Sequence, residues 1–98
     1  MAAKTFLTQS QYESVQLSLK NGSSAADVSK EIEGYLSDRL SAHPLWRKAR
    51  PVAIGSWARH ELSLKSDIDI IFLGDEKTVV QVTTDLTSEG LRLRSRVP

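Results

Sequence analysis

Two aspartates, Asp67 and Asp69, stand one residue apart at the head of the apolar run from Ile68 to Leu73. In a β-strand, side chains at positions i and i+2 project from the same face, about 6.6 Å apart along the chain. Two carboxylates that close repel each other unless a cation lies between them. Magnesium prefers hard oxygen ligands and often takes only one or two protein carboxylates, leaving positions for substrate phosphates. The pair therefore indicates a Mg²⁺ site, with two solvated aspartates at a strand end as the alternative.

A Gly-Ser pair, Gly55 and Ser56, precedes the aspartates and follows a short apolar stretch at 52–54. Glycine permits a tight turn and the close approach of a backbone amide to a phosphate, and the serine hydroxyl adds a donor. By itself the pair is also a common turn. If the two flanking strands are neighbours, however, the turn lies beside the aspartates. That arrangement suits nucleotidyl transfer, in which metal ions clamp a triphosphate and orient attack on its α-phosphorus.

The first half of the chain predicts two helices that would brace these strands. Thr8 or Ser10 can cap the first, and Gly22 supplies its stop. Ser24 can cap the second, which should end before Pro44 because the residue preceding a proline is pushed out of the helical region. Apolar residues of the second helix recur at three- and four-residue steps, so one face should be buried.

The second half changes period and predicts strands at Val52–Ile54 and Ile68–Leu73. The stretch TVVQVTTDLTSEG favours a strand by its β-branched residues but a helix by its spacing, and we predict a helix ended by Gly90. Leu91–Val97 alternates apolar residues with arginines, which predicts a half-buried strand with a basic face. The expected fold class is α+β, with a small mixed sheet and flanking helices: an N-terminal helical extension at 1–50 and a core at 51–98.

Composition narrows the class of protein. The 98 residues are 40% hydrophobic and 26% charged, contain no cysteine and carry a net charge of +1. No apolar run approaches the about 20 residues of a membrane span, so we expect no membrane partner and a cytoplasmic location. Disulfides and thiolate zinc sites are excluded. The small net charge argues against nucleic acid as a partner.

The stretch GSWARHELSLKSDIDIIFL (55–73) resembles the signature of the DNA-polymerase-β-like nucleotidyltransferase superfamily, a Gly-Ser turn followed by an Asp-x-Asp pair. Within it, the chain is most similar to the N-terminal domain of the uridylyltransferase/uridylyl-removing enzymes that modify the PII nitrogen-signalling protein. The segment DLTSEGLRLRSRVP (85–98) also resembles that family, so the resemblance spans 51–98. The matching positions are Arg59, Glu61, Leu62, Ser66, Asp67, Ile68, Asp69, Gly90, Leu91, Ser95 and Val97.

The resemblance implies a magnesium-dependent nucleotidyltransferase. Its reaction would move a nucleoside monophosphate, with UMP favoured, from a nucleoside triphosphate to a hydroxyl of a regulatory protein such as PII, on a tyrosine in that family. The implied catalytic and metal-binding residues are Asp67 and Asp69, and the implied nucleotide-binding residues are Gly55, Ser56, Arg59 and Lys65.

Several side chains near this site have two interpretations. Arg59 is expected either to contact the triphosphate or to pair with Glu61 or Asp67, and Lys65 to assist with phosphate or to be a surface lysine. His60 is predicted to be an exposed loop residue without an acceptor. Trp46 and Trp57 are expected to pack rather than to stack on a base.

Two departures from the family leave the function open. The superfamily has a third carboxylate on a later strand, and 91–97 offers arginines and a serine instead. We therefore expect that carboxylate beyond Pro98, in a longer enzyme, or a degenerate site. The glutamine-synthetase adenylyltransferases carry a similar pattern, so ATP is an alternative to UTP. The other alternative is a non-catalytic, antitoxin-like protein of the same fold that binds a partner.

Overall fold

The computed structural model describes residues 7–89, 91 and 93–96, and it has a mixed α and β architecture. Its helices are α1 (Gln9–Lys20), α2 (Ala25–Ser41), α3 (Gly55–Ala58) and α4 (Glu76–Ser88). Its strands are β1 (Pro51–Ala53), β2 (Ile68–Phe72) and β3 (Leu93–Arg96). The expected α+β class with a small sheet and flanking helices is confirmed. None of the helices in the described part is long and apolar enough to cross a membrane.

The three strands form one small sheet in the order β1-β2-β3. β1 is antiparallel to β2, with Ala53 opposite Ile70, whereas β3 is parallel to β2, with Arg94 opposite Asp69. Helix α4 forms the crossover between the parallel strands, since parallel neighbours need a long connection. The central strand therefore carries Asp69 between the Gly-Ser segment on one side and β3 on the other.

Capping side chains set the starts of the first two helices. The Thr8 hydroxyl accepts the Gln11 N–H while the Gln11 side chain accepts the Thr8 N–H, which is a complete capping box. Ser24 caps α2 by accepting the Asp27 N–H at 3.1 Å. Both predicted helices are confirmed, and α2 ends at Ser41, ahead of Pro44.

Helix α4 is confirmed in the segment where β-branched residues competed with helical spacing. Asp75 caps it by accepting the Thr78 N–H at 3.0 Å, and Val82 and Leu86 are buried. The predicted end at Gly90 lies outside the described residues, and the helix itself ends at Ser88 with Glu89 as its C-cap. Burial of one apolar face outweighs the weak strand preference of the threonines and valines.

The three predicted strands are confirmed, and several of their ends differ from the prediction by one or two residues. The first spans Pro51–Ala53 instead of Val52–Ile54, and the second ends at Phe72 rather than Leu73. The third begins at Leu93 rather than Leu91, and Val97 lies outside the described residues. Beyond Phe72, the Leu73 N–H donates to Arg50 O at 3.0 Å, so pairing continues past the regular strand.

One hydrophobic core joins the helices to the sheet. It combines Val15 of α1, Ile32 and Leu36 of α2, and Ile68 and Ile70 of β2, each at most 1% exposed. Because β2 alternates, Ile68 and Ile70 face this core while Asp69 projects to the other face of the sheet. The division into an extension at 1–50 and a core at 51–98 stays a prediction.

Candidate functional site

Gly55 and Asp69 are in direct contact. Gly55 opens α3 with a left-handed φ of +62°, and an added Cβ there would lie 2.6 Å from Asp69 Oδ2. The Ile54 N–H donates to Asp69 O at 3.0 Å, which holds the two segments together by backbone pairing. Only glycine gives both this backbone conformation and this close approach without displacing the carboxylate.

The Gly-Ser segment is a short helix rather than the turn that the sequence suggested. α3 spans Gly55–Ala58, and Ile54, its N-cap residue, makes no side-chain capping hydrogen bond. The Arg59 N–H donates to Gly55 O at 3.1 Å and the Glu61 N–H to Ser56 O at 2.8 Å. Propensity did not reveal this helix because a four-residue helix depends on what surrounds it.

The two aspartates differ in their surroundings. Asp69 lies within β2 and is half-buried, whereas Asp67 is exposed and lies one residue before the strand begins. Between them, Ile68 is fully buried. The carboxylates thus lie at the start of the central strand, Asp69 inside it and Asp67 directly ahead of it.

The loop between α3 and β2 is held by its own serines. The Ser63 N–H donates to Ser66 Oγ at 2.8 Å, and the Ser66 N–H returns to Ser63 O at 3.1 Å. Lys65 is exposed at the tip of this turn. Ser66, which matches the family pattern, therefore has a structural task in closing the turn just before Asp67.

Arg59 pairs with Glu61, the structural alternative raised by the sequence. Its Nε lies 3.4 Å from Glu61 Oε2, and the two side chains are 60% and 62% exposed. An ion pair this exposed contributes little to stability and breaks easily. The pair therefore leaves the guanidinium able to exchange Glu61 for another anion.

The prediction that His60 has no acceptor was wrong. His60 Nδ1 donates to Glu33 Oε1 at 2.9 Å, while the ring itself stays exposed. Glu33 lies on α2, 27 residues earlier, so no local sequence pattern predicts its contact with His60. A second such contact joins buried Ser29 to the Leu62 N–H at 2.9 Å. These two α2 residues were missed because the sequence showed no chemistry in the helices.

The tryptophans pack, as expected. Trp46 stands edge-on to Phe72 with ring centroids 5.8 Å apart, and Trp57 packs against the hydrophobic core. The two indoles, with Ala53 and Ile70, also border a cleft of about 190 Å³. Its lining includes residues of the core side of the sheet, opposite the face that carries Asp69.

A third carboxylate is not found near the pair within the described ranges. No group of three His, Asp or Glu side chains there is arranged to hold a metal ion. In β3, Arg94 occupies the register position opposite Asp69. Asp85 is engaged elsewhere: it accepts from His43 Nε2 at 2.8 Å and from Gln81 at 2.9 Å, and these bonds lower the pKa of its carboxyl.

Comparison of the chain with protein-family models, with curated proteins and with solved structures gave no match. What supports a function is therefore the set of residues in the 55–69 segment and their arrangement. That arrangement places a glycine at left-handed φ, followed in α3 by a serine, against a strand-borne carboxylate on the face of the sheet opposite the core.

Proposed function

We propose that this chain is a polymerase-β-like nucleotidyltransferase domain that binds a magnesium nucleoside triphosphate and directs its nucleotidyl group to a protein hydroxyl, with pyrophosphate as the leaving group. The observation that carries the proposal is the contact of Gly55 with Asp69. A phosphate-binding segment and a metal-binding carboxylate must be neighbours to act on one triphosphate, and Gly55 lies against Asp69. The resemblance of 55–73 to the superfamily signature supports the same conclusion.

Gly55 and Ser56 would bind the β- and γ-phosphates. The first amides of α3 have no intrahelical partner, and Ile54 gives them no side-chain cap. The Ser56 hydroxyl adds a donor beside them. Arg59 and Lys65, both exposed on the following loop, would add positive charge where the phosphates enter.

Asp67 and Asp69 would hold Mg²⁺. Their four carboxylate oxygens are the hard ligands that this ion prefers, and two protein carboxylates are a sufficient share when phosphate and water supply the rest. The donor set therefore fits the ion. When bound, Mg²⁺ would supply neutralisation of the phosphate charge. The chain's own part is to keep both carboxylates at the head of β2, with Asp69 fixed against Gly55.

UMP transfer to a PII-type regulatory protein is the reaction we favour, on the resemblance to the uridylyltransferases, with AMP transfer as the alternative. Turnover would also need the third carboxylate of the superfamily, and within the described ranges no third carboxylate joins the aspartate pair. Nitrogen regulation is the cellular role that this assignment implies. A cytoplasmic location, expected from the sequence, accords with it.

A second candidate is a non-catalytic protein of the same fold that binds a partner. The observation that favours it is the register of β3, which puts Arg94 rather than a carboxylate opposite Asp69. This candidate predicts stable binding of a partner protein, or of nucleotide, without any transfer. The two candidate functions therefore differ in whether the nucleotidyl group is transferred after the nucleotide binds.

Calorimetric titration of UTP, then ATP, with and without Mg²⁺ tests the binding site. We expect magnesium-dependent binding that is lost in an Asp67→Ala/Asp69→Ala variant and kept in Asp38→Asn, which changes an exposed carboxylate on α2. The preferred base would choose between uridylyl and adenylyl transfer. Absence of binding to either nucleotide, or equal binding by the double variant, would refute the site.

A further inference from the structure

A chain of polar contacts connects α2 to the loop between α3 and β2. Ser29 is fully buried, and its hydroxyl accepts the Leu62 N–H at 2.9 Å while donating to Glu33 Oε2 at 2.9 Å. The other oxygen of Glu33 accepts from His60 Nδ1 at 2.9 Å. Two adjacent turns of α2 thereby hold the loop at two points.

These contacts lie at the start of the loop, where the chain leaves α3. The segment from His60 to Leu62 leaves α3 with a left-handed φ of +57° at His60 and then drops Leu62, 2% exposed, into the core. The Leu62 N–H is buried with it, and Ser29 Oγ is its partner. Buried amides need such a partner, because an unsatisfied one is costly. The start of the loop is therefore anchored to α2, and the Ser63–Ser66 turn carries it on to Asp67.

We propose that Ser29 and Glu33 are positioning residues of the candidate site, which fix the loop so that Asp67 arrives beside the Gly55–Asp69 contact. This inference rests on the proposed function for its meaning, but the ordering of the loop is a property of the free protein. Neither residue belongs to the Gly-Ser or Asp-x-Asp pattern. Both act through the backbone and through His60.

Glu31 provides a matched control on the same helix. It accepts hydrogen bonds from Ser14 at 2.7 Å, Ser18 at 2.8 Å and Tyr35 at 2.7 Å, and so ties α2 to α1. Glu31 and Glu33 are thus both half-buried carboxylates with several hydrogen bonds. One faces α1, and the other faces the loop.

The test compares Ser29→Ala and Glu33→Gln with Glu31→Gln in amide hydrogen exchange, thermal unfolding and magnesium–nucleotide titration. In both loop-facing variants we expect the amides of 62–67 to exchange about tenfold faster and the nucleotide affinity to fall about tenfold, since Ser29→Ala removes the acceptor of the Leu62 N–H and Glu33→Gln weakens the acceptor of His60. Glu31→Gln should lower the melting temperature and leave both of those quantities unchanged. Glu33→Gln decides the matter if Ser29→Ala does not fold.

Unchanged exchange of 62–67 in Glu33→Gln would overturn the proposal, and so would faster exchange with wild-type nucleotide affinity. A wild-type chain that binds no nucleotide would instead refute the proposed function. In that event the exchange comparison with Glu31→Gln alone decides whether Ser29 and Glu33 order the loop. The two failures are therefore distinguishable.

Discussion

At the scale of single residues, two glycines with similar backbone conformations differ in what a substitution would displace. Gly22 and Gly55 both adopt left-handed φ values, +83° and +62°. A Cβ on Gly22 would meet nothing within 4 Å, whereas one on Gly55 would press on the Asp69 carboxylate. Substitution of either glycine would strain the backbone, but only substitution of Gly55 would also displace a site residue.

A comparison of Gly55→Ala with Gly22→Ala should therefore distinguish the effect of backbone strain from the effect of displacing Asp69. We expect each to lower the free energy of unfolding by about 1–2 kcal/mol, the cost of a left-handed conformation for a residue with a Cβ. Gly55→Ala should in addition abolish magnesium-dependent nucleotide binding because Asp69 must move. Denaturant unfolding and calorimetric titration measure the two effects, and equal nucleotide affinity in the two variants would contradict the role given to Gly55.

At the scale of elements, α2 links α1, the hydrophobic core and the loop before β2. Its buried face carries Val28, Ile32, Leu36 and Leu40, its Glu31 ties it to α1, and its Ser29 and Glu33 reach the loop before β2. The helix thus joins the N-terminal region to the candidate site. Residues far from the aspartates in the sequence therefore help to place them. A second element junction is the end of β2, where Gly74 lies against the backbone of Lys48 and Ala49.

Gly74→Ala should destabilise the protein. Its Cβ would lie 2.5 Å from Lys48 O and 2.8 Å from backbone atoms of Ala49, which cannot give way as a side chain can. We expect a loss of about 1–3 kcal/mol in the free energy of unfolding, typical of overpacking.

Gly34→Ala is the matched control, since Gly34 is exposed within α2 and a Cβ there meets nothing within 4 Å. It should stabilise the protein by about 0.5–1 kcal/mol through helix propensity. Urea denaturation of both variants checks the pair, and a neutral Gly74→Ala would disprove the close approach.

At the scale of the whole molecule, three hydrogen-bonded carboxyls link stability to pH. The pKa of Glu31 is lowered by hydrogen bonds from Ser14, Tyr35 and Ser18, and that of Asp75 by the backbone and hydroxyl of Thr78. The pKa of Asp85 is lowered chiefly by its hydrogen bond from His43. Folding thus favours the charged form of each group, so each contributes stability above its ordinary pKa that is lost as the pH falls through its folded value.

We expect the melting temperature to fall as the pH is lowered below the ordinary values of 4.5 for glutamate and 3.8 for aspartate. Glu31→Gln should be less stable than the wild type at pH 7 and should lose less on acidification, because one of the linked groups is gone. Calorimetric scans from pH 7 to pH 3 measure this. Parallel pH profiles for the two proteins would contradict the assignment to Glu31.

The sequence by itself determined the local elements apart from the short helix α3. The Thr8 and Ser24 caps, the helical spacing of α4 and the apolar run of β2 are set by contacts a few residues apart, and a linear pattern can display such contacts. The adjacency of the Gly-Ser and Asp-x-Asp segments could also be anticipated, once their flanking strands were taken to be neighbours.

Only the tertiary structure decided how the candidate site is supported. The contact of Gly55 with Asp69, the hydrogen bonds that Ser29 and Glu33 accept from the loop and the register of Arg94 against Asp69 each join residues well separated along the chain. Such contacts form because burial of the common core brings α2, the loop and β2 together, and they leave no periodic trace in the sequence. Helix caps and hydrophobic spacing, which involve residues close in the sequence, determined these elements. Burial of the core determined which of their polar groups meet.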